Sequence, residues 1–202
     1  MYALVEDGSI SKLITNPKSM VIGDVRYPAK IFQLWSTSEL NTIGIYEVVF
    51  DDSNKKDEKW YINTNQSYDF DGNEVTASYG TATPKAHADT LFTAQNETDG
   101  LGTEGEVATR GLKYNLIQTL KSQVANELAR TDWYITRNSE KSTAIPSSIS
   151  NHRDAVRTKQ AAMETQITGA SDTAALEILY TYTEQEDGSV TRPLGELPVL
   201  EL

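Results

Sequence analysis

Two amphipathic segments within residues 107–170 constrain the fold more than any other feature of the sequence. The first is predicted to be an α-helix that runs from about Val107 to Ala129. Its apolar side chains recur every four residues, which places them in one stripe along a helix surface. That stripe consists of Leu112, Leu116, Leu120, Val124 and Leu128, with Ile117 alongside.

The second segment is predicted to be a helix from Pro146 to about Thr168. Pro146 suits a first helical turn, because the N–H that proline lacks would be unpaired there. Gly169 is expected to end the helix in the left-handed conformation that glycine adopts without strain. Asp172 is expected to cap a further short helix that begins at Thr173. The apolar face of the second helix contains Ile149, His152, Val156, Gln160, Met163 and Ile167.

The two long helices are predicted to form an antiparallel hairpin joined at an aromatic elbow, Thr131–Arg137. A pair of helices of about 22 residues, each burying one narrow stripe, is marginally stable by itself. The hairpin therefore needs a third surface, from the N-terminal part, the C-terminal tail or a second copy of the chain. We expect self-association into a homo-oligomer or docking on a partner protein.

The N-terminal part of the chain is predicted to consist of short strands. Ser36 and Glu39 have the spacing of a capping box for one helical turn. Ile45–Phe50 is the clearest strand, and Trp60–Ile62 is predicted to pair back on it as a hairpin. Asp71-Gly72-Asn73 lies between two further β-prone runs and predicts a second hairpin turn.

Taken together, these patterns predict an α+β fold. Residues 1–82 form a small, mostly β domain, and residues 83–106 form an acidic linker rich in Gly and Thr. Residues 107–180 form the helical hairpin domain. Residues 181–202 form a short C-terminal β-hairpin or extended tail, with a turn signal at Asp187-Gly188.

Composition excludes several classes of protein. The net charge of −11 disfavours binding to nucleic acid or to an anionic membrane surface, because both require an excess of Lys and Arg. The chain has no cysteine, which excludes disulfides, Cys-based zinc sites and a thiol nucleophile. It also lacks a run of about 18 apolar residues that would span a membrane, and its start does not have the pattern of a signal peptide.

Catalytic and metal-binding patterns are weak throughout the sequence. Of the two histidines, His87 lies in the predicted linker and His152 on a helix, where an interface role is expected. Asp69–Glu74 lacks the ligand spacing of a calcium loop and fits a hairpin turn better. We therefore predict no enzymatic activity, no catalytic residues, no cofactor and no metal.

The aromatic elbow is the strongest candidate for a binding site. Trp133 and Tyr134 have the character of interface hot spots and could grip a ligand, a carbohydrate or a protein partner. In the alternative, Trp133 packs where the two helices diverge, and Arg137 pairs with a carboxylate or a helix carbonyl. The residues alone leave both readings open.

The elbow and the segment after it resemble a signature of the bacteriophage tail assembly chaperone and tail-fibre-assembly family. The matching pieces there are Thr131–Tyr134, Arg137, Ala144–Pro146 and Arg153–Arg157. In the N-terminal part, the similar pieces are Tyr27-Pro28, Leu34–Ser36, Glu39-Leu40 and Gly44–Val48. The chain departs from the family pattern at His152, where Tyr is common, and in its longer, more acidic segment 83–106.

The resemblance implies a non-enzymatic phage tail protein whose partner is a tail-fibre or baseplate protein. It would act as a chaperone-like assembly factor in the infected host cytoplasm or remain in the virion tail. The residues expected to contact the partner are Trp133, Tyr134, Arg137, Arg153 and Arg157. The alternative is a receptor- or carbohydrate-recognition module at the tail tip, with Trp60, Tyr61 or Trp133 stacking on sugars.

Overall fold

The structure, a computed structural model, describes residues 1–200. The chain divides into two compact units, Met1–Thr83 and a second unit that begins at Pro84. Sheet dominates the first unit, and the long helices lie in the second, which confirms the predicted α+β class at that level. The last two residues of the predicted tail, 201–202, lie outside the described residues.

The first unit contains short strands and two short helices. In chain order they are β1 (Tyr2–Glu6), β2 (Ser9–Ile14), β3 (Met20–Ile22), β4 (Val25–Tyr27), α1 (Ile31–Leu34), α2 (Thr37–Thr42), β5 (Ile45–Asp51), β6 (Tyr61–Ile62), β7 (Gln66–Phe70) and β8 (Val75–Tyr79). The next strand, β9 (Thr83–Pro84), lies at the division between the units. Five strands form one sheet in the order β2-β1-β5-β8-β7.

The central strand β5 differs from prediction in its neighbours. It pairs antiparallel with β1, Ala3 lying opposite Tyr46, and parallel with β8, Val48 lying opposite Val75. The predicted hairpin between 45–50 and 60–62 is therefore wrong. A parallel neighbour is reached through a long crossover connection, so local alternation of side chains does not reveal it.

The sheet buries apolar residues on both faces, because successive side chains of a strand point in opposite directions. One cluster contains Ala3, Val5, Val48, Val75 and Ala77, and the other contains Leu4, Ile14, Ile31, Leu40 and Ile45. The outer strands β2 and β7 also have Cα atoms within 8 Å of each other. The sheet therefore curls around the first cluster, while α1 and α2 contribute Ile31 and Leu40 to the second.

Two local predictions for the first unit are confirmed. The Ser36 side chain accepts a hydrogen bond from the Glu39 N–H, and the Glu39 carboxylate accepts one from the Ser36 N–H at 2.7 Å, which completes the capping box. The turn at Asp71 joins β7 to β8 as an antiparallel hairpin. Its Asp71 carboxylate accepts hydrogen bonds from the N–H groups of Asn73 and Glu74.

The second unit begins with short elements and continues with four helices. They are β10 (Thr90–Leu91), α3 (Ala94–Thr98), β11 (Val107–Thr109), α4 (Leu112–Ala129), α5 (Asp132–Lys141), α6 (Ser147–Gly169), α7 (Thr173–Tyr180), β12 (Thr183–Glu184) and β13 (Val190–Thr191). Within residues 1–200, no helix is long and apolar enough to cross a membrane.

The segment 83–106, predicted as a linker, is structured in this unit. It contains α3 and the strand β10, which pairs antiparallel with β11. The first long helix consequently starts at Leu112 rather than Val107. Gly111 precedes it with extended backbone, and a Cβ there would lie 2.3 Å from the backbone of Ala88, so glycine is required. Strands of two or three residues have no measurable periodicity, which is why the sequence did not reveal them.

The helices α4 and α6 pack on each other in opposite directions. The Lys113 side chain near the start of α4 donates to the Thr168 carbonyl at the end of α6. Arg153 near the start of α6 donates to the Leu128 carbonyl at the end of α4. Members of the two predicted stripes are buried in this unit, namely Leu120, Val124, Ile149, Val156, Met163 and Ile167.

The connections around these helices differ from prediction in two places. The elbow is a separate helix, α5, none of whose side chains is buried. Gly169 is the last residue of α6 rather than a left-handed cap, and Ala170 follows with extended backbone. The predicted cap at Asp172 is confirmed, since its carboxylate accepts from the Ala175 N–H at 2.8 Å.

The C-terminal segment folds back onto the helices of its own unit. The strands β12 and β13 pair around Gly188, whose φ of +79° is in the left-handed region. Beyond them, Leu194 is buried, with 1% of its surface exposed, and its N–H donates to the Leu179 carbonyl at 3.1 Å. The Lys159 side chain donates to the Leu194 carbonyl at 2.9 Å. The segment is therefore docked at Leu194.

Candidate partner-binding site at the elbow

Arg153 forms the base of the elbow. Only 8% of its surface is exposed, and its Nη1 lies within hydrogen-bond distance of three acceptors. These are the Leu128 carbonyl at 2.8 Å, the Thr131 hydroxyl at 2.7 Å and the Asp132 carboxylate at 2.8 Å. A cation is well placed here, because the last carbonyls of a helix have no intrahelical partner and carry partial negative charge. Arg153 thus fastens α6 to the end of α4 and the start of α5.

Thr131 completes this base from inside the elbow. It is buried, accepts a hydrogen bond from Arg153 and donates its own hydroxyl proton to the Leu128 carbonyl at 3.0 Å. Arg153, predicted to contact a partner, has a buried guanidinium whose Nη1 is occupied within the fold, and its contact with a partner stays a prediction. The Thr-Asp pair at 131–132 positions the helix that follows.

Glu127 lies beside the base and contacts two basic side chains, Arg130 and His152. Its carboxylate accepts hydrogen bonds from Arg130 at 3.0 Å and lies 3.1 Å from Nε2 of His152. His152 is buried, so the expected interface role fits its position. Burial raises the pKa of Glu127, but Arg130 and His152 more than offset this effect and hold that pKa below its ordinary value of 4.5.

The lowered pKa of Glu127 predicts acid sensitivity at the elbow. A carboxyl whose pKa is lower in the folded chain stabilises the fold above its unfolded pKa, and this stabilisation is lost as pH falls through the folded pKa. Glu127→Gln is therefore expected to destabilise the protein at pH 7, and the difference from wild type is expected to shrink below pH 4.5. Urea unfolding at a series of pH values measures this difference. A difference that stays constant with pH would contradict the prediction.

Trp133, Tyr134 and Arg137 form a stacked group on the elbow, which we call the elbow surface; Trp133 is exposed, and Tyr134 and Arg137 are half-buried. Trp133 is 51% exposed, and its ring centroid lies 3.9 Å from that of Tyr134. The Arg137 guanidinium carbon lies 4.9 Å from the Trp133 centroid and 5.9 Å from the Tyr134 centroid. Such stacking is a cation–π arrangement, which holds the three side chains in a fixed group.

The exposure of Trp133 bears on the two roles considered for it. A packing anchor between diverging helices would be buried, whereas half of the Trp133 surface is accessible. The buried side chains at this place are those of Thr131 and Arg153. Arg157, the remaining predicted contact, is exposed on α6 and lies 3.5 Å from Asp154 of the same helix.

Other predicted sites are less developed in the structure. Trp60 is buried, so it does not offer a face on which a sugar could stack. Open depressions in the first unit include ones with volumes of about 320, 270 and 230 Å³. The depression of about 270 Å³ is lined by Glu47 and Glu74, and no basic side chain lines it. Across residues 1–200, no group of three His, Cys, Asp or Glu residues is arranged to hold a metal ion.

Comparison with known proteins does not identify a relative. No family model, no curated protein and no solved structure matches the chain. The function proposed below is therefore based on the site geometry and on the resemblance of residues 131–157 described in the sequence analysis.

Proposed function

We propose that this chain is a non-enzymatic bacteriophage tail protein that binds a tail-fibre or baseplate protein through the elbow surface. The observation that carries the proposal is the half-exposed Trp133, stacked with Tyr134 under the Arg137 guanidinium. Trp, Tyr and Arg are the residues most enriched at the energetic centres of protein interfaces. The resemblance of 131–157 to tail-assembly proteins supplies the class of partner.

The rigidity of the base supports a binding role. Arg153 and Thr131 hold the start of α5 against the end of α4 and the first turns of α6, so the base of the elbow surface is in place before a partner arrives. Side chains that are already fixed lose less entropy on binding, which leaves more of the contact energy for affinity. In this proposal, the antiparallel helical hairpin serves as a rigid support for the elbow surface.

The same proposal covers two cellular fates. As a chaperone-like factor, the protein would act in the infected host cytoplasm and leave the finished particle; as a structural component, it would remain in the virion tail. Quantitative protein analysis of purified particles distinguishes the two, because a retained component is present at a fixed ratio to the fibre. Mass measurement of the purified chain likewise tests the proposed homo-oligomer.

The decisive experiment co-expresses the chain with the tail-fibre or baseplate protein encoded beside it. We expect the two to co-elute in size-exclusion chromatography. Trp133→Ala is expected to weaken the complex by about 30-fold or more, as for a hot-spot residue worth 2 kcal/mol. Because Trp133 is half exposed, its removal is expected to lower the free energy of unfolding by less than about 1 kcal/mol.

The matched control is Tyr114→Ala. Tyr114 is an exposed aromatic on α4 that also lies under an arginine, Arg110, whose guanidinium carbon is 4.2 Å from the ring centroid. It is expected to leave the complex unchanged. Loss of the complex in both variants would show a nonspecific aromatic effect. The proposed function would be overturned if the wild-type chain formed no complex, or if the Trp133→Ala variant co-eluted with the tail protein as fully as wild type.

A further inference from the structure

Within residues 1–200, Arg110, Arg137 and Arg192 stack on aromatic rings, and two of them also bind a carboxylate. The first is Arg110, which lies over Tyr114 and pairs with Asp89 at 2.6 Å. Asp89 also accepts the Gly111 N–H at 2.8 Å, and these two hydrogen bonds hold the pKa of Asp89 below its ordinary value. The face of this guanidinium contacts a ring, and its edge contacts a carboxylate.

The second example, Arg192, has the same arrangement in a more complete form. Its guanidinium carbon lies 5.4 Å and 5.1 Å from the ring centroids of Tyr180 and Tyr182. Its Nε and Nη2 reach the two oxygens of Glu196 at 2.7 and 2.9 Å. This is the bidentate geometry that a planar guanidinium prefers with a carboxylate.

Arg137, the third, has the aromatic contacts without the carboxylate. It lies over Trp133 and Tyr134, yet no side chain within residues 1–200 forms an ion pair with it. Of the three carboxylates on α4 and α5, Asp132 pairs with Arg153 and Glu127 with Arg130 and His152, while Glu140 forms no ion pair within residues 1–200. The edge of the Arg137 guanidinium is thus the part of the stack that the fold leaves unpaired.

The charge distribution favours an acidic ligand at this place. Residues 110–159 contain nine Lys and Arg against four Asp and Glu, a net charge of +5, whereas the whole chain carries −11. The elbow surface therefore belongs to the segment of the chain in which Lys and Arg outnumber Asp and Glu, although α5 itself carries two charges of each sign. An excess of positive charge attracts negatively charged groups and rejects positively charged ones.

We propose that the elbow surface binds an acidic segment of the partner protein, whose carboxylate pairs with Arg137 while an adjoining apolar side chain contacts Trp133. This inference rests on the proposed function and adds the chemistry of the partner. Stacking fixes the plane of the guanidinium, so its N–H groups point outwards along the edge and can meet both oxygens of one carboxylate. Trp133 supplies the apolar contact beside it, because half of its surface is accessible.

Two synthetic peptides test this chemistry directly on the full chain. The acidic probe is acetylated and amidated Glu-Leu-Glu-Leu, and the neutral probe is Gln-Leu-Gln-Leu with the same ends. Binding is followed by the indole N–H resonances of the three tryptophans, with that of Trp133 identified in the Trp133→Phe variant. We expect both titrations to be followed by the shift of the Trp133 resonance. The affinity of the acidic peptide is expected to be at least about tenfold higher than that of the neutral peptide.

Variants at Arg137 separate charge from geometry. Arg137→Gln is expected to reduce affinity for the acidic peptide about tenfold or more. The affinity of Arg137→Lys is expected to lie between those of wild type and Arg137→Gln, since lysine keeps the charge but not the planar fork. Arg110→Gln is the matched control, and it is expected to change nothing, because the Arg110 edge is already occupied by Asp89. Raising the salt concentration is expected to weaken binding of the acidic peptide and to leave binding of the neutral peptide unchanged.

The outcomes distinguish this inference from the proposed function. Equal binding of the two peptides, no binding of either, or equal effects of Arg110→Gln and Arg137→Gln would overturn the carboxylate inference. The proposed function would still stand if the tail protein co-elutes in a Trp133-dependent manner. Loss of that co-elution in Arg137→Gln, together with selective binding of the acidic peptide, would support both.

Discussion

Arg153→Met is expected to lower the free energy of unfolding of the helical unit by about 2–4 kcal/mol, because a buried charged donor is removed from its acceptors. The Leu128 carbonyl and the Thr131 hydroxyl lie in the interior and lose the donor that they share. The Asp132 carboxylate is mostly exposed and water can replace its bond, so it contributes little to this loss. Methionine keeps much of the apolar stem, which restricts the comparison to the guanidinium.

The matched control for Arg153→Met is Arg157→Met, one turn further along α6. Arg157 is exposed, and its contact with Asp154 is 3.5 Å long, so a change within about 0.5 kcal/mol is expected. Urea unfolding followed by the helical circular dichroism signal measures both variants, since the long helices lie in the second unit. Equal midpoints for the two variants would show that Arg153 does not fasten the elbow.

The elbow illustrates what local sequence patterns can and cannot predict. The stripes of α4 and α6 were predictable because each element repeats its apolar positions with a helical period. The exposure of Trp133 and the burial of Arg153 were not, since large apolar residues are usually buried and arginine is usually exposed. The burial of Arg153 depends on Thr131 and the carbonyl of Leu128, which approach Arg153 only after α4 and α6 pack together.

The same limit explains the stacked arginines. Arg110 and Asp89 are 21 residues apart, and only the pairing of β10 with β11 brings that part of the chain together. The capping box at Ser36 and the turn at Asp71, by contrast, involve residues three or fewer positions apart. Such short-range contacts were predictable from the sequence. Contacts that require two packed elements, including the elbow base, became visible only in the structure.

Leu194→Ala is the second substitution for which we expect a large loss of stability. It tests a segment for which the sequence predicted a hairpin or an extended tail. Leu194 is 1% exposed, and loss of a buried leucine side chain costs about 2–5 kcal/mol. Pro193 and Gly195 flank it, and Gly195 adopts a φ of +72°, with the Lys159 side chain where a Cβ would lie. This turn directs Leu194 into the unit while Lys159 holds its carbonyl.

Leu101→Ala is the matched control for Leu194→Ala, because it removes the same atoms from a side chain that is 63% exposed. It is expected to change the free energy of unfolding by no more than about 0.5 kcal/mol. Hydrogen exchange at the Leu194 amide adds a local measurement, since that N–H donates to the Leu179 carbonyl. Faster exchange there without a shift in the unfolding midpoint would mean that the segment opens separately from the helices. A shift of the midpoint, with faster exchange across α6 and α7, would mean that docking at Leu194 provides part of the third surface that the paired helices α4 and α6 need.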